Sequence, residues 1–255
     1  MNIVGIIPAR MASSRFPGKP MADIHGMPMI GHCYLRSRMS KSLSDCWVAT
    51  PDKEIFEYIE SIGGKPLMTS HKHEMCNDRV AEAVTKIEKK SGKKIDIVIN
   101  IQGDLPMVFP DMIDDTVEPL TDDKRIKCST MMDEIELNED FLDPNRVKVI
   151  VDLNQNAILL TREPVPSRHK FNGDYPKYKH VAIRAYTAEL FSGLARMEMS
   201  PIEKIEGIDD LRLIENGIEI KVVLTGRVTE TVDTPQDLRK VIEMMQGDEL
   251  MKKYV

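Results

Sequence analysis

Two common nucleotide-binding signatures are missing from this chain of 255 residues. It has no G-x-x-x-x-G-K-[ST] loop, and no G-x-G-x-x-G follows its first strand, so neither a P-loop nor a dinucleotide fingerprint explains it. Its four cysteines, Cys33, Cys46, Cys76 and Cys128, form no C-x-x-C pair. That spacing argues against a zinc ribbon or a dithiol redox motif and leaves buried, reduced thiols as the expectation. No apolar run approaches the length of a membrane span. A first strand beginning at residue 2 or 3 leaves no room for a signal peptide, so a cytoplasmic location is expected. Excess positive charge is missing as well: the formal net charge is -6, so the molecule as a whole attracts neither nucleic acid nor an anionic membrane. The 17 methionines fit adaptable core filling better than a metal site.

Against that acidic background one short segment stands out. Directly after the apolar run Ile3-Val4-Gly5-Ile6-Ile7 comes Pro8-Ala9-Arg10-Met11-Ala12-Ser13-Ser14-Arg15-Phe16-Pro17-Gly18-Lys19-Pro20. In an open α/β sheet, ligands bind at the carboxyl ends of strands. Arg10 and Arg15 offer forked donors and Lys19 a point charge, the equipment for gripping phosphates. Gly18 permits a tight path that can turn amides toward a ligand. The loop therefore reads as a cradle for a small polyanion rather than for a long one.

Along the chain, residues 2–8 read as a buried strand, 28–40 as a helix with Met29, Ile30, Cys33 and Tyr34 inward and its arginines on the other face, and 46–50 as a second strand. Asp52 is positioned to N-cap a helix over 53–62 that stops at Gly63-Gly64. A strand at 66–69, a helix at 76–90 and a strand at 95–101 ending in Gln102-Gly103-Asp104 complete a strand–helix alternation. That rhythm argues for a mostly parallel sheet with helices on its faces. The pattern then changes: 146–151 and 157–161 read as a hairpin, 163–179 as a loop, 180–186 as a strand, 188–197 and 207–216 as helices, and 218–224 as a late strand. Thr234-Pro235-Gln236-Asp237 opens a last helix, with Thr as N-cap and Pro at its first position. No linker or repeat interrupts the chain, and a single domain over 1–255 is expected.

Four further motifs carry chemistry. Asp104, after Gly103 at the end of a strand, is well placed for a hard cation, and Mg²⁺ favours one or two carboxylates plus substrate phosphates. Asp233 precedes the capping residue Thr234, is not needed for capping, and is a candidate second ligand. On strand alternation, His180, Ala182, Arg184 and Tyr186 share one face, which suits an anionic sugar. Ser200-Pro201-Ile202-Glu203 breaks structure, and Asp209-Asp210 opens a helix.

Taken in order, the motifs resemble the CMP-Kdo synthetases, the 3-deoxy-manno-octulosonate cytidylyltransferases. The matching segments are I-P-A-R-x-x-S-[ST]-R-x-P-G-K-P at 7–20, G-x-P-M-I at 26–30, V-A-T at 48–50, G-G-K at 63–65, M-T at 68–69, D-R at 78–79, N-x-Q-G-D-x-P at 100–106, P-N-x-V-K-V at 144–149, K-H at 179–180, S-P-[LI]-E at 200–203 and V-D-T-P-x-D-L at 232–238. The resemblance implies a Rossmann-like nucleotide-diphospho-sugar transferase fold with a dimerising insertion, acting in lipopolysaccharide biosynthesis on CTP and an acidic sugar. By that similarity Pro8, Ala9, Arg10, Ser13, Arg15 and Lys19 grip the nucleotide, and Arg79 and Gln102 border it. Asp104 and Asp233 hold Mg²⁺, so that Arg10, Lys19, Asp104 and Asp233 form the catalytic set. His180, Arg184, Tyr186, Asp209 and Asp210 fall to the acceptor.

The chain departs from the family words in four places. Met75-Cys76-Asn77 stands for Ser-Gly-Thr, and Leu105 for a Glu or polar residue. His180-Val181-Ala182-Ile183-Arg184-Ala185-Tyr186 stands for His-Leu-Gly-x-Tyr-x-Tyr, and Ile208-Asp209-Asp210-Leu211-Arg212 for Leu-Glu-Gln-Leu-Arg. The nucleotide and metal words survive, while the acceptor words are altered. The expected reaction is attack by an acceptor oxygen on the α-phosphorus of CTP with release of pyrophosphate, by an enzyme that forms a homodimer. The alternatives are a nucleotidyltransferase for another nucleotide or anionic acceptor, and a protein that holds nucleotide without chemistry.

Overall fold

A computed structural model describes every residue from 1 to 255 except Ser13, Ser14, Glu74, Arg168, Asn172 and Ala195. In chain order its elements are β1 (Ile3–Pro8), β2 (Asp23–Ile24), β3 (Met27–Pro28), α1 (Met29–Ser37), β4 (Asp45–Thr50), α2 (Lys53–Ser61), β5 (Pro66–Met68), α3 (Cys76–Ser91), β6 (Ile97–Ile101), α4 (Pro110–Asp122), β7 (Cys128–Glu134), α5 (Asn138–Leu142), β8 (Lys148–Val151), β9 (Ala157–Thr161), β10 (Tyr178–Thr187), α6 (Ala188–Leu194), α7 (Pro201–Glu206), α8 (Asp210–Glu215), β11 (Lys221–Leu224) and α9 (Pro235–Met244). The expected α/β class, with a mostly parallel sheet and flanking helices, is what these elements build. They group into two compact units, Met1–Asp114 with Val228–Val255, and Asp115–Arg227.

The first unit contains a parallel sheet in the order β6-β1-β4-β5. All five residues of β6 and the first five of β1 are buried, as expected of parallel strands covered on both faces. From β1 the chain moves through β4 to β5 on one side, then returns to place β6 on the other. The order therefore reverses between β1 and β6, the point at which such sheets open a crevice beyond their strand ends. Pro8-Ala9-Arg10 follows β1, and Gln102-Gly103-Asp104 follows β6. The two loops pack so closely that a Cβ on Gly103 would lie 2.7 Å from the Pro8 carbonyl oxygen, so only glycine fits there.

Two expectations fail in this unit for physical reasons. Arg36, assigned by spacing to the polar face of α1, is fully buried. Its Nε donates to the Tyr254 hydroxyl at 2.9 Å, its Nη2 pairs with Asp248, and its guanidinium lies 5.6 Å from the Phe109 ring centroid. The C-terminal segment covers that face of the helix, which a periodicity rule cannot foresee. Asp52 sits at the N-cap position of α2 but makes no side-chain capping bond; its carboxylate is used elsewhere, as described below. By contrast Thr234 caps α9 as expected, in a reciprocal box with Asp237.

In the second unit, β10 runs antiparallel to β7 and β8, β9 runs antiparallel to β8, and β11 runs parallel to β7. The expected hairpin 146–161 is present, its turn tied by the Asp152 carboxylate to the amides of Asn154 and Asn156. Met132, Val149, Leu160, Ile208, Leu211 and Val222 form the core here. Ser200-Pro201 does not break structure: Ser200 and Glu203 form a capping box that starts α7. The four cysteines are free thiols; Cys33, Cys46 and Cys128 are buried, while Cys76 is partly exposed. Burial raises the Cys46 thiol to about 12 and pushes Cys128 well up, so those two are inert at neutral pH. No helix among the described residues is long and apolar enough to cross a membrane.

Candidate active site

At the mouth of the β1/β6 crevice the first unit holds an open cleft of about 310 Å³. Its lining includes Pro8, Ala9, Arg10, Arg15, Lys19, Arg79, Gln102, Asp104 and Asp233, so all nine positions expected at the nucleotide or metal site that have described structure meet there, Asp233 from the far end of the chain among them. Ser13 lies outside the described residues.

The centre of the cleft is Lys19. Its ammonium donates to Asp104 Oδ2 at 2.8 Å and to Asp233 Oδ1 at 3.4 Å, and Arg15 Nη2 donates to the same Asp233 oxygen at 2.9 Å. The side chains of Lys19, Asp104 and Asp233 keep 12, 24 and 27 % of their surface in contact with solvent, so these ion pairs are open to exchange with a ligand. The backbone fixes the two carboxylates in place. The Val232 amide donates to the Asp104 carbonyl at 2.9 Å, and the Asp233 and Thr234 amides donate to the Asp237 carboxylate. The helix cap thus sets Asp233 at the cleft rim without consuming its carboxylate.

Asp104 Oδ2 and Asp233 Oδ1 converge on one cation, here an ammonium. Two hard oxygen donors facing the same cation suit a divalent ion such as Mg²⁺. Among the described residues no three His, Cys, Asp or Glu side chains gather to form a metal cage. An ion held by this pair would take its remaining ligands from substrate phosphates and water.

Arg79 is buried at one side of the cleft and organises the segment after β5. It donates to Thr69 Oγ1 at 2.7 Å, the Ser70 carbonyl at 3.3 Å and the His73 carbonyl at 3.1 Å. Burial, reinforced by the charge of Arg10, lowers its pKa, while Asp52 and Glu82 oppose that shift. Glu82 pins the same segment, accepting from the Ser70 amide and pairing with His73 and Lys86. Burial would raise its carboxyl, but these partners outweigh burial and hold it at about 2. Leu105, a departure from the family words, is buried at 2 % exposure and so packs in the core instead of facing a ligand.

The residues expected near the acceptor gather in the second unit. The shared face of β10 is present, with a bulge between Val181 and Arg184. Arg184 donates to both oxygens of Asp210 through Nε and Nη2 at 2.7–2.8 Å, with side-chain exposures of 9 and 0 %. Burial alone would raise the Asp210 carboxyl, but the Arg184 guanidinium holds it below its usual value. His180 bonds Thr130 Oγ1 at 2.7 Å and lies 3.8 Å from Asp210. Thr130 donates its own proton to the Ile183 carbonyl at 3.0 Å, so His180 is the donor, protonated on Nε2. Burial lowers this imidazole to about 4 despite the pull of Asp210. Tyr186 is buried against Phe191, ring centroids 5.3 Å apart. Asp209 is half-buried, and desolvation raises its carboxyl. Two departures from the family words, Arg184 for an aromatic and Asp210 for an amide, are thus one ion pair.

Comparisons with known proteins agree with this geometry. A family profile described as cytidylyltransferase matches residues 4–220. The 3-deoxy-manno-octulosonate cytidylyltransferase of Geobacter metallireducens is 40 % identical, over 96 % of this chain and 98 % of its own length. The 8-amino-3,8-dideoxy-manno-octulosonate cytidylyltransferase of Shewanella pealeana is 39 % identical, over 94 % of this chain and 96 % of its own. The solved structure of a CMP:2-keto-3-deoxy-manno-octonic acid synthetase complexed with CTP superposes with a TM-score of 0.89 at 34 % identity, covering 97 % of this chain and all of that one. A 4-diphosphocytidyl-2C-methyl-D-erythritol synthase from Anaerococcus prevotii, 13 % identical over 96 % of this chain and 98 % of its own, shares the fold with a TM-score of 0.64. The chain belongs to the cytidylyltransferase family, as a nucleotidyltransferase among the CMP-Kdo synthetases.

Proposed function

We propose that this protein transfers CMP from CTP to an acidic keto-sugar, 3-deoxy-manno-octulosonate or a close analogue, giving a CMP-sugar and pyrophosphate. The observation that carries the reading is the Lys19 ammonium shared by Asp104 and Asp233 within a cleft that also gathers Arg10, Arg15 and Arg79.

Nucleotidyl transfer asks mainly for alignment and for neutralisation of charge that builds on the leaving group. Arg10, Arg15 and Lys19 would bind the triphosphate and stabilise the departing pyrophosphate. Pro8, Ala9, Ser13, Arg79 and Gln102 would frame the nucleotide. Asp104 and Asp233 would hold Mg²⁺, which when bound neutralises phosphate charge and eases deprotonation of the attacking hydroxyl. The anomeric hydroxyl oxygen of the acceptor attacks the α-phosphorus in line; the bond to the pyrophosphate oxygen breaks, and the hydroxyl proton leaves to solvent. Acceptor recognition would fall to the second unit, around His180, Arg184, Tyr186, Asp209 and Asp210. Because Arg184 and Asp210 hold each other, they would act as a preset pair.

The whole chain 1–255 would work as one cytidylyltransferase domain, in the cytoplasm where CTP is made. A homodimer belongs to the same proposal, supported by the large apolar side chains that the second unit leaves exposed, including Leu137, Ile158, Phe171 and Ile205. Light scattering at micromolar protein tests it, with a mass of one chain as the contrary result.

The functional test is pyrophosphate release with Mg²⁺, comparing CTP with UTP, GTP and ATP across a panel of acidic sugars. The panel includes 3-deoxy-manno-octulosonate and its 8-amino-3,8-dideoxy analogue, because relatives named for each match at nearly equal identity. Turnover that requires CTP and an acidic keto-sugar supports the proposal. CTP binding without turnover on any acceptor would indicate a nucleotide-holding protein instead.

A further inference from the structure

Asp52 stands where a helix cap belongs, directly before α2, with the extended backbone of an N-cap residue (φ -98°, ψ 126°). Asp is among the best capping residues, yet this side chain makes no capping bond. Its Oδ2 instead accepts the Met11 amide at 2.7 Å, across 41 residues of sequence. The bond is charge-assisted and short, of the stronger kind. Asp52 is itself held, its amide donating to Thr50 Oγ1 at 3.1 Å at the end of β4.

The position of Met11 gives this bond its meaning. The Met11 carbonyl accepts the Gly18 amide at 3.0 Å, and Gly18 takes a left-handed turn (φ 75°) before Lys19. Met11 and Gly18 are therefore the two sides of a neck that closes the segment between them. Arg10 precedes the neck, Arg15 lies beyond it in the closed segment, and Lys19 leaves it. The Asp52 carboxylate ties this neck to the end of β4. The same carboxylate also offsets the mutual repulsion of cations in the cleft, since its charge acts on Arg79 against that of Arg10.

We propose that Asp52 is a positioning residue for the phosphate-gripping segment: by fixing the Met11 amide it presets Arg15 and Lys19 for the triphosphate. Helix capping is given up in exchange. Preset donors bind more tightly because less ordering remains to be done on binding, so the effect of losing Asp52 falls mainly on the KM for CTP. The proposal rests on the reading of Arg15 and Lys19 as triphosphate groups.

The test compares wild type, Asp52→Ala, Asp52→Asn and Lys19→Ala by steady-state pyrophosphate release and by trypsin nicking of the nucleotide-free protein after Arg10 and Arg15. The peptide bond before Pro20 resists trypsin, so Lys19 does not confuse the pattern. Asp52→Ala is expected to raise the KM for CTP about tenfold with a smaller change in kcat, and to speed nicking at both sites. Asp52→Asn keeps an acceptor oxygen for the Met11 amide and is expected to restore most of the KM and the resistance to trypsin. A wild-type KM and nicking rate in Asp52→Ala, or an Asn variant no better than the Ala variant, would overturn the proposal. A lowered melting temperature with unchanged KM would assign Asp52 to the helix cap, also against it. If Lys19→Ala left the KM and turnover with CTP intact, the triphosphate reading would fail, while nicking would still report on the Asp52 tie.

Discussion

The two units use charge in opposite ways. In the first, Lys19, Asp104 and Asp233 form ion pairs that keep part of their surface in water, and the surrounding arginines face an open cleft. Such pairs contribute little to stability and can be traded for ligand phosphates at little expense. In the second, Arg184 and Asp210 form a buried, forked pair with His180 beside it. That pair is difficult to open, because separating it would strand a charge in a medium that solvates charge poorly. Access to solvent therefore separates ion pairs that can exchange their charge for a ligand's from a pair that can only present a fixed, preset surface to one.

Substitutions in each unit can break this contrast. The largest expected effect is on turnover: Lys19→Ala or Asp104→Ala should lower pyrophosphate release by at least roughly 10²- to 10³-fold with an unchanged circular dichroism spectrum, since both groups are partly exposed. Near-normal turnover in both would remove the cleft from the mechanism. Next, Asp210→Ala should destabilise the protein by about 3–5 kcal/mol in urea unfolding, because it leaves Arg184 buried and unpaired. The double variant Arg184→Met with Asp210→Leu should recover most of that loss; additive losses would mean the two residues do not act as a pair.

Acid should act on the buried histidines first. A native His180 at about 4, against about 6.5 unfolded, binds its proton later than the unfolded chain does. Stability is therefore full above pH 6.5 and falls as the pH drops toward 4, by up to about 3 kcal/mol. Asp209, whose carboxyl is raised, works with the opposite sign and is relieved as pH falls. Glu82, held at about 2, adds a separate loss only below about pH 4.5. Burial also lowers His32, so unfolding free energy measured against pH should fall less between pH 6.5 and 4 in His180→Gln than in wild type, with the remainder from His32; an equal fall in both proteins would mean that His180 is not the group that titrates. The smallest effect is chemical: Cys76, lining the cleft, should take up maleimide before Cys33, Cys46 and Cys128, and CTP should slow it. Equal labelling of all four thiols would argue against the cleft as the nucleotide site.

Much of the first unit was legible because local rules agree there. Continuous apolar strands, a cation cluster after β1 and a Thr-Pro-x-Asp cap each have short-range causes, and the family words fixed their order. What was not legible depends on distant chain. Arg36 is buried because residues near the C-terminus fold over it, and no window of sequence contains both. Asp52 reads as a cap because its partner amide at Met11 is 41 residues away. The start of α7 is available in the sequence, as Ser200 and Glu203 have the capping-box spacing and Pro201 suits the first helical turn rather than a break. The face shared by His180 and Arg184 followed from strand alternation; that Asp210 would occupy Arg184 did not, since pairing across elements leaves no periodic trace.

The central claim is that Lys19, Asp104 and Asp233 are one centre that takes a nucleotide together with a divalent cation. Calorimetric titration of CTP with and without Mg²⁺, in wild type and in the Asp104→Ala/Asp233→Ala double variant, tests it most directly. The account predicts that Mg²⁺ tightens CTP binding at least about tenfold in wild type, a gain of roughly 1.4 kcal/mol, and has no effect in the double variant. An equal response to Mg²⁺ in both proteins would contradict it.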